Sequence, residues 1–173
     1  ILGYIYRFIN FLLRVVILGL ILYSAAFTIV ASIALYKGFV YVYDLYDSVA
    51  VLKNDQPEMS KYMQALRDSN PDVEIKHTFV PLDSISQYLQ KAVIASEDAG
   101  FYFHPGFDVN AIAEALNANR MSGKTKFGGS TITQQLAKNL FLTGERSWER
   151  KIKEAAYALV MEHVKGKARI LEV

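Results

Sequence analysis

The sequence predicts a mainly α-helical protein with a transmembrane helix near its N-terminus. Two observations predict this. Val15–Tyr36 is a run of 22 residues without a charge, rich in Leu, Ile, Val and Ala. Downstream, apolar residues recur at helical spacing between Ser or Asp caps and Gly or Pro breakers, and a single short segment reads as extended. With 173 residues the chain is long enough for one domain plus an appendage. Cysteine is absent, which excludes a disulfide framework and a thiolate metal site but leaves the compartment open.

The uncharged run comes first. At 1.5 Å per residue, about 20 residues cross the hydrocarbon core, so Val15–Tyr36 reads as a membrane span. A cleavable signal peptide is the rival, but its apolar stretch is usually roughly 7–15 residues. Arg7 and Arg14 precede the span, while Lys37, Asp44 and Asp47 follow it. This bias places the N-terminus in the cytoplasm and the remainder outside. Tyr4, Tyr6, Tyr36, Tyr41 and Tyr43 suit interfacial anchors. The first residue is Ile rather than Met, so further N-terminal sequence is expected. Three regions follow: 1–43, cytoplasmic stub and span; 44–78, a membrane-proximal segment; and 79–173, the catalytic region.

Lys37–Met59 continues helical and apolar, as an extension of the same helix, until Pro57 interrupts it. Ser60–Arg67 reads as a short helix and Asp68–Pro71 as a turn. Ile75–Leu82 reads as a short strand or extended segment. Asp83 or Ser84 caps a helix running to about Ser96, and Asp108 caps another over Val109–Met121. Residues 122–129 form a loop. Its Gly-Lys-Thr is no phosphate-binding P-loop, because Ala118 stands where the earlier glycine is required. Ser130 opens a helix through Phe141, Thr143–Arg146 turn, and Ser147 caps a helix to about Val164. Gly166 breaks it, and a last helix starts near Lys167.

Charge is unevenly placed. Residues 44–119 carry five basic and twelve acidic side chains, and residues 120–173 carry eleven basic and five acidic ones. Such a division suits a carboxylate that meets a phosphate-bearing ligand, although two solvated faces would give the same count. The acidic half contains Glu97–Asp108, with three carboxylates, one histidine, three phenylalanines and two glycines. A carboxylate against aromatic walls is how proteins raise its pKa for acid–base work. A polar loop closing a helix would read the same way. The basic half contains Gly-Gly-Ser-Thr-Ile-Thr-Gln-Gln-Leu-Ala-Lys-Asn over residues 128–139. A glycine pair before a capped helix offers free N–H groups and the positive end of the helix dipole to an anion. Gln134, Gln135 and Lys138 add donors. Arg146, Arg150, Lys151 and Lys153 then precede Glu154, which alone reads as an ordinary charged helix face.

Together these stretches resemble the peptidoglycan glycosyltransferases of family 51, the monofunctional enzymes and the N-terminal domains of bifunctional penicillin-binding proteins. Glu97, Asp98, Phe101, His104, Gly106 and Asp108 meet the family's first motif. Gly128 and Ser130–Gln135 meet the second, and Arg150, Lys151 and Glu154 the third. Lys167–Glu172 resembles the start of a fourth, which in the family continues into Tyr-Leu-Asn and further helices, so the catalytic region is expected to be incomplete here.

The resemblance implies a lysozyme-like glycosyltransferase domain with a hydrophobic jaw in the membrane. It implies polymerisation of lipid II into glycan strands on the outer side of the bacterial cytoplasmic membrane, with inversion at the anomeric carbon. Glu97 would be the general base, with Asp98 the competing candidate. Glu154 would be a second carboxylate, positioning cations. Asp98, Phe101, His104, Gly128, Ser130, Thr131, Gln134, Gln135, Lys138, Asn139, Arg146, Arg150 and Lys151 would bind substrate and its pyrophosphate. No cofactor is required, though a divalent cation (Mg or Mn) has a place beside Glu154. Expected partners are lipid II, the growing strand, the bilayer and other cell-wall synthesis proteins, and no nucleic acid. The rivals are a lytic transglycosylase or lysozyme-like hydrolase, and a non-catalytic membrane scaffold.

Overall fold

The computed structural model describes residues 1–124, 128–142, 144 and 147–173. The described elements are α1 (Leu2–Val51), α2 (Lys61–Ser69), a 3₁₀ turn (Leu82–Ser84), α3 (Gln87–Glu97), α4 (Val109–Ser122), α5 (Ile132–Phe141) and α6 (Trp148–Glu172). Among the described residues there is no strand. The chain divides into two units, Ile1–Asp44 and Leu45–Val173.

The first unit is helical from Leu2 onward, and its apolar side chains are exposed. Among the described residues, α1 is the one helix long and apolar enough to cross a membrane. Hydrocarbon offers no partner to a polar group, so such a helix must satisfy its own. Ser24 and Thr28 do so: their hydroxyls donate to Ile21 O at 2.9 Å and Ser24 O at 2.8 Å.

The second unit begins inside the last turns of α1. The helix stops at Val51, short of the Met59 expected from the sequence. Leu52 and Lys53 tighten onto Val49 O and Ala50 O, and Pro57 disfavours helical backbone just before it. Ser60 caps α2 by accepting from Met63 N. Residues 73–81 form no helix or strand. In place of a ladder, Glu172 accepts from Leu82 N at 3.2 Å, and Gln90 donates to Leu82 O and Ile85 O, both at 2.9 Å. The cap of α3 is Ser86 rather than Asp83 or Ser84, which lie in the 3₁₀ turn. Asp108 caps α4 as expected, accepting from Asn110 N and Ala111 N. The loop expected over 122–129 and the turn over 143–146 lie partly outside the described residues.

The core forms where α5 meets α6. Val49, Phe101, Ala137, Met161 and Ile170 are buried together, and Leu136, Leu140, Tyr157 and Val164 pack around them. Phe141 stacks on Tyr157 with centroids 4.4 Å apart. Two glycines admit close approaches. A Cβ at Gly129 would stand 2.7 Å from Ile112 Cα, and one at Gly106 (φ +106) would stand 3.0 Å from Ala158 O. Gly166 breaks α6 with φ 70 and ψ 166, as the sequence predicts.

Lys165 Nζ is buried without a hydrogen-bond partner among the described residues. Burial first, and then the Arg169 charge, lower its pKa to about 8. The unfolded chain holds the proton more firmly than the folded one, so Lys165 costs stability below pH 8, and the cost is relieved as pH rises from there toward the ordinary lysine value of 10.5. Lys165→Met is expected to raise the melting temperature near neutral pH and to abolish the gain in stability between about pH 8 and 10. A melting temperature near neutral pH equal to or below the parent's would contradict this.

Candidate active site

The end of α3 separates two adjacent carboxylates. Glu97 is its last residue and is exposed, and its Oε2 accepts from Gln135 Nε2 at 2.9 Å. Asp98, the C-cap, turns inward and is buried. Its oxygens lie 2.9 and 3.0 Å from His104 Nε2, and Oδ2 also accepts from Ile132 N at 3.0 Å. His104 Nδ1 accepts from Gly106 N, so the neutral ring carries its proton on Nε2 and donates it to Asp98. Asp98 thereby fastens the first motif to the N-terminus of α5. Glu97 stays exposed, with Gln135 on one of its oxygens.

That N-terminus differs from the open anion site expected from its sequence. Ile132 N–H is given to Asp98, and Gln134 N–H to Thr131 Oγ1. Gln134 Oε1 returns to Thr131 N in a capping box, and Thr131 Oγ1 donates to Gly106 O at 2.7 Å. Thr131 and Gln134 are accordingly buried and bind their own backbone. A side-chain anion had already filled what the dipole offers.

The cations gather at the start of α6. Ser147 caps it by accepting from Arg150 N. Arg150 donates to Glu154 Oε2 at 2.6 Å, Lys151 pairs with Glu154 Oε1, and Lys151 Nζ also donates to Ser130 Oγ at 2.9 Å. Glu154 is 2% exposed. Two cations on one buried carboxylate keep a net positive charge, and they are held in place by a group that cannot reach the solvent. On α5, Lys138 is half-buried and Asn139 exposed. Arg146 lies outside the described residues.

A cavity of about 290 Å³ joins Glu97, Asp108, Asn110, Glu114, Gly128 and Ser130. Its described lining holds no aromatic residue, so the aromatic walls expected around Glu97 are not there. Phe101 is wholly buried in the core, and Tyr102 and Phe103 face solvent. A larger cavity, about 850 Å³, is lined by Leu82, Ile85, Ile94, Tyr102 and Glu172 and holds none of the candidate side chains. Among the described residues no three carboxylates or histidines gather to hold a divalent cation, and at Glu154 such an ion would have to displace Arg150 or Lys151, which engage both carboxylate oxygens.

Sequence reasoning missed the post beneath the first motif. Lys167 Nζ donates to His104 O at 2.8 Å and to Glu162 Oε1 at 2.7 Å, and stands 4.5 Å over the Phe101 ring. Thr133 Oγ1 donates to the same Glu162 oxygen at 2.6 Å. The isolated Glu162 in an apolar stretch of α6 was the available signal.

The fold and the site define a helical domain in which Glu97 and Ser130 line one cavity and Lys151 joins Ser130 to the buried Glu154. The family model described as Transglycosylase matches residues 63–173, and the chain belongs to that family, whose mainly α, lysozyme-like class it shares. It is 44% identical over 133 residues to a biosynthetic peptidoglycan transglycosylase of Azoarcus sp. (strain BH72), covering 75% of this chain and 58% of that protein. It is 41% identical over 139 residues to a protein of the same name from Nitrosospira multiformis, covering 78% and 60%. A third, from Bordetella pertussis, is 50% identical over 119 residues, covering 66% and 49%. The chain thus spans about half to three-fifths of the length of these curated relatives.

Proposed function

We propose that the protein is a membrane-anchored peptidoglycan glycosyltransferase that polymerises lipid II outside the bacterial cytoplasmic membrane. The observation that carries this reading is the bond from Lys151 to Ser130. It brings the Arg150–Lys151–Glu154 cluster to the rim of the cavity that holds Glu97. A glycan hydrolase has no anionic leaving group and no use for that cluster.

The reaction follows from the two halves. The acceptor's 4-hydroxyl lies against Glu97, which takes its proton. The freed oxygen attacks the anomeric carbon of the donor sugar from the side opposite the pyrophosphate. The new C–O bond forms as the old one breaks, so the configuration inverts. Undecaprenyl pyrophosphate leaves with the bonding pair, and its added charge falls to Arg150, Lys151 and the Ser130 hydroxyl. Glu97 is exposed, so its proton passes to water. Asp98 touches no substrate in this account. It positions Glu97 by locking the turn after α3 onto His104 and α5. The apolar N-terminal helix keeps the enzyme at the surface where a lipid-borne donor resides.

The test is incubation of the protein, reconstituted in bilayers, with lipid II. Formation of glycan polymer with release of undecaprenyl pyrophosphate is expected. Cleavage of purified polymer, with no polymer made from lipid II, would contradict the reading.

A further inference from the structure

Trp148 is the chain's single tryptophan. It opens α6 directly after the Ser147 cap and is 86% exposed, and Ile152, one turn on, is 69% exposed. Isolated exposed apolar residues are ordinary. These two, however, lie i, i+4 on one helix face beside the cations. Ser147, Trp148, Arg150 and Lys151 line one cavity of about 360 Å³. A recess walled by an indole and two cations complements a molecule that is anionic at one point and apolar at the next.

The linkages fix the order of these groups. Glu97 and Ser130 line one cavity. Lys151 joins Ser130 to the Arg150–Glu154 cluster, and Trp148 and Ile152 follow on the same helix. The donor of the glycosyltransferase reading has the same order along its covalent chain: reacting sugar carbon, pyrophosphate, polyprenyl tail. We propose that Trp148 and Ile152 seat the first isoprene units of the donor lipid, next to the pyrophosphate that Arg150 and Lys151 hold. The inference rests on that reading and adds a lipid subsite to it. The flat indole covers the planar isoprene double bonds while its N–H stays at the polar edge. The protein thereby distinguishes a lipid-linked pyrophosphate from a water-soluble one, and the departing product retains the same contacts.

The experiment uses the protein in zwitterionic bilayer discs, with farnesyl pyrophosphate and inorganic pyrophosphate as probes. Calorimetry reads pyrophosphate binding, and Trp148 emission reads the apolar seat. Farnesyl pyrophosphate is expected to bind about tenfold more tightly than inorganic pyrophosphate and to shift the emission to the blue saturably. Ile152→Ala is expected to weaken farnesyl pyrophosphate about fivefold and leave inorganic pyrophosphate unchanged. Binding of both probes with equal affinity and unmoved emission would overturn the lipid seat while leaving the cation clamp standing. Emission already blue-shifted in the empty discs would overturn it too, because the bilayer itself would then cover the indole. Binding of neither probe would overturn the clamp, and the seat with it.

Discussion

Glu97→Gln is expected to reduce the turnover of lipid II by about 10²–10⁴-fold, the usual range for losing a general base. The amide keeps the volume of the side chain and can still meet Gln135, which now stands 2.9 Å away. It cannot accept the proton of the acceptor hydroxyl. Glu97 is exposed and takes part in no buried network, so the fold is expected to melt within a degree or two of the parent, as surface substitutions do. Retention of more than about a tenth of parent turnover would remove Glu97 from the role. Asp98 does not stand ready to replace it, because His104 and Ile132 already occupy its oxygens.

Glu154→Gln acts by another route. The carboxylate is buried and grips both Arg150 and Lys151. Removing the carboxylate leaves Arg150 and Lys151 without their shared partner, and because both cations are partly exposed the cost is expected to fall below the roughly 3–5 kcal/mol of a fully buried pair. Part of that cost appears as lost stability and part as misplaced cations. The expected result is a fall of about 100-fold in kcat/KM with a clear rise in KM, accompanied by a lower melting temperature. Parent-like KM with only kcat reduced would show that Glu154 acts on the reacting atoms rather than through the cations.

The sequence carried the elements whose signals are local. Asp108 and Ser147 were legible as caps because their side chains bond backbone two or three residues away. Gly166 was legible because an isolated glycine between apolar turns commonly breaks a helix. The long apolar helix α1 was legible from an uncharged run that nothing local contradicts. Long-range choices were not legible. Nothing near Asp98 announces that its carboxylate will meet Ile132 N–H, 34 residues on, and so close the anion site that the glycine pair appeared to open. Phe101 sat among residues expected to bind substrate, yet its ring completes the core with Met161 and Ile170. The wall around Glu97 was misjudged for the same reason: aromatics adjacent in sequence point away once the chain turns at Gly100 and Gly106. The hold of Glu154 on Arg150 and Lys151 was an implication of the family resemblance, because the residues alone read as an ordinary charged helix face, and the tie to Ser130 crosses 21 residues and required the fold.

The central claim is a division of labour, with Glu97 serving the proton and the Arg150–Lys151–Glu154 cluster serving the pyrophosphate. Equilibrium binding of lipid II to the two non-turnover variants tests it most directly. Glu97→Gln is expected to bind lipid II within about twofold of the parent, and Glu154→Gln at least roughly tenfold more weakly. Equal losses of binding in both variants, or a loss confined to Glu97→Gln, would contradict it.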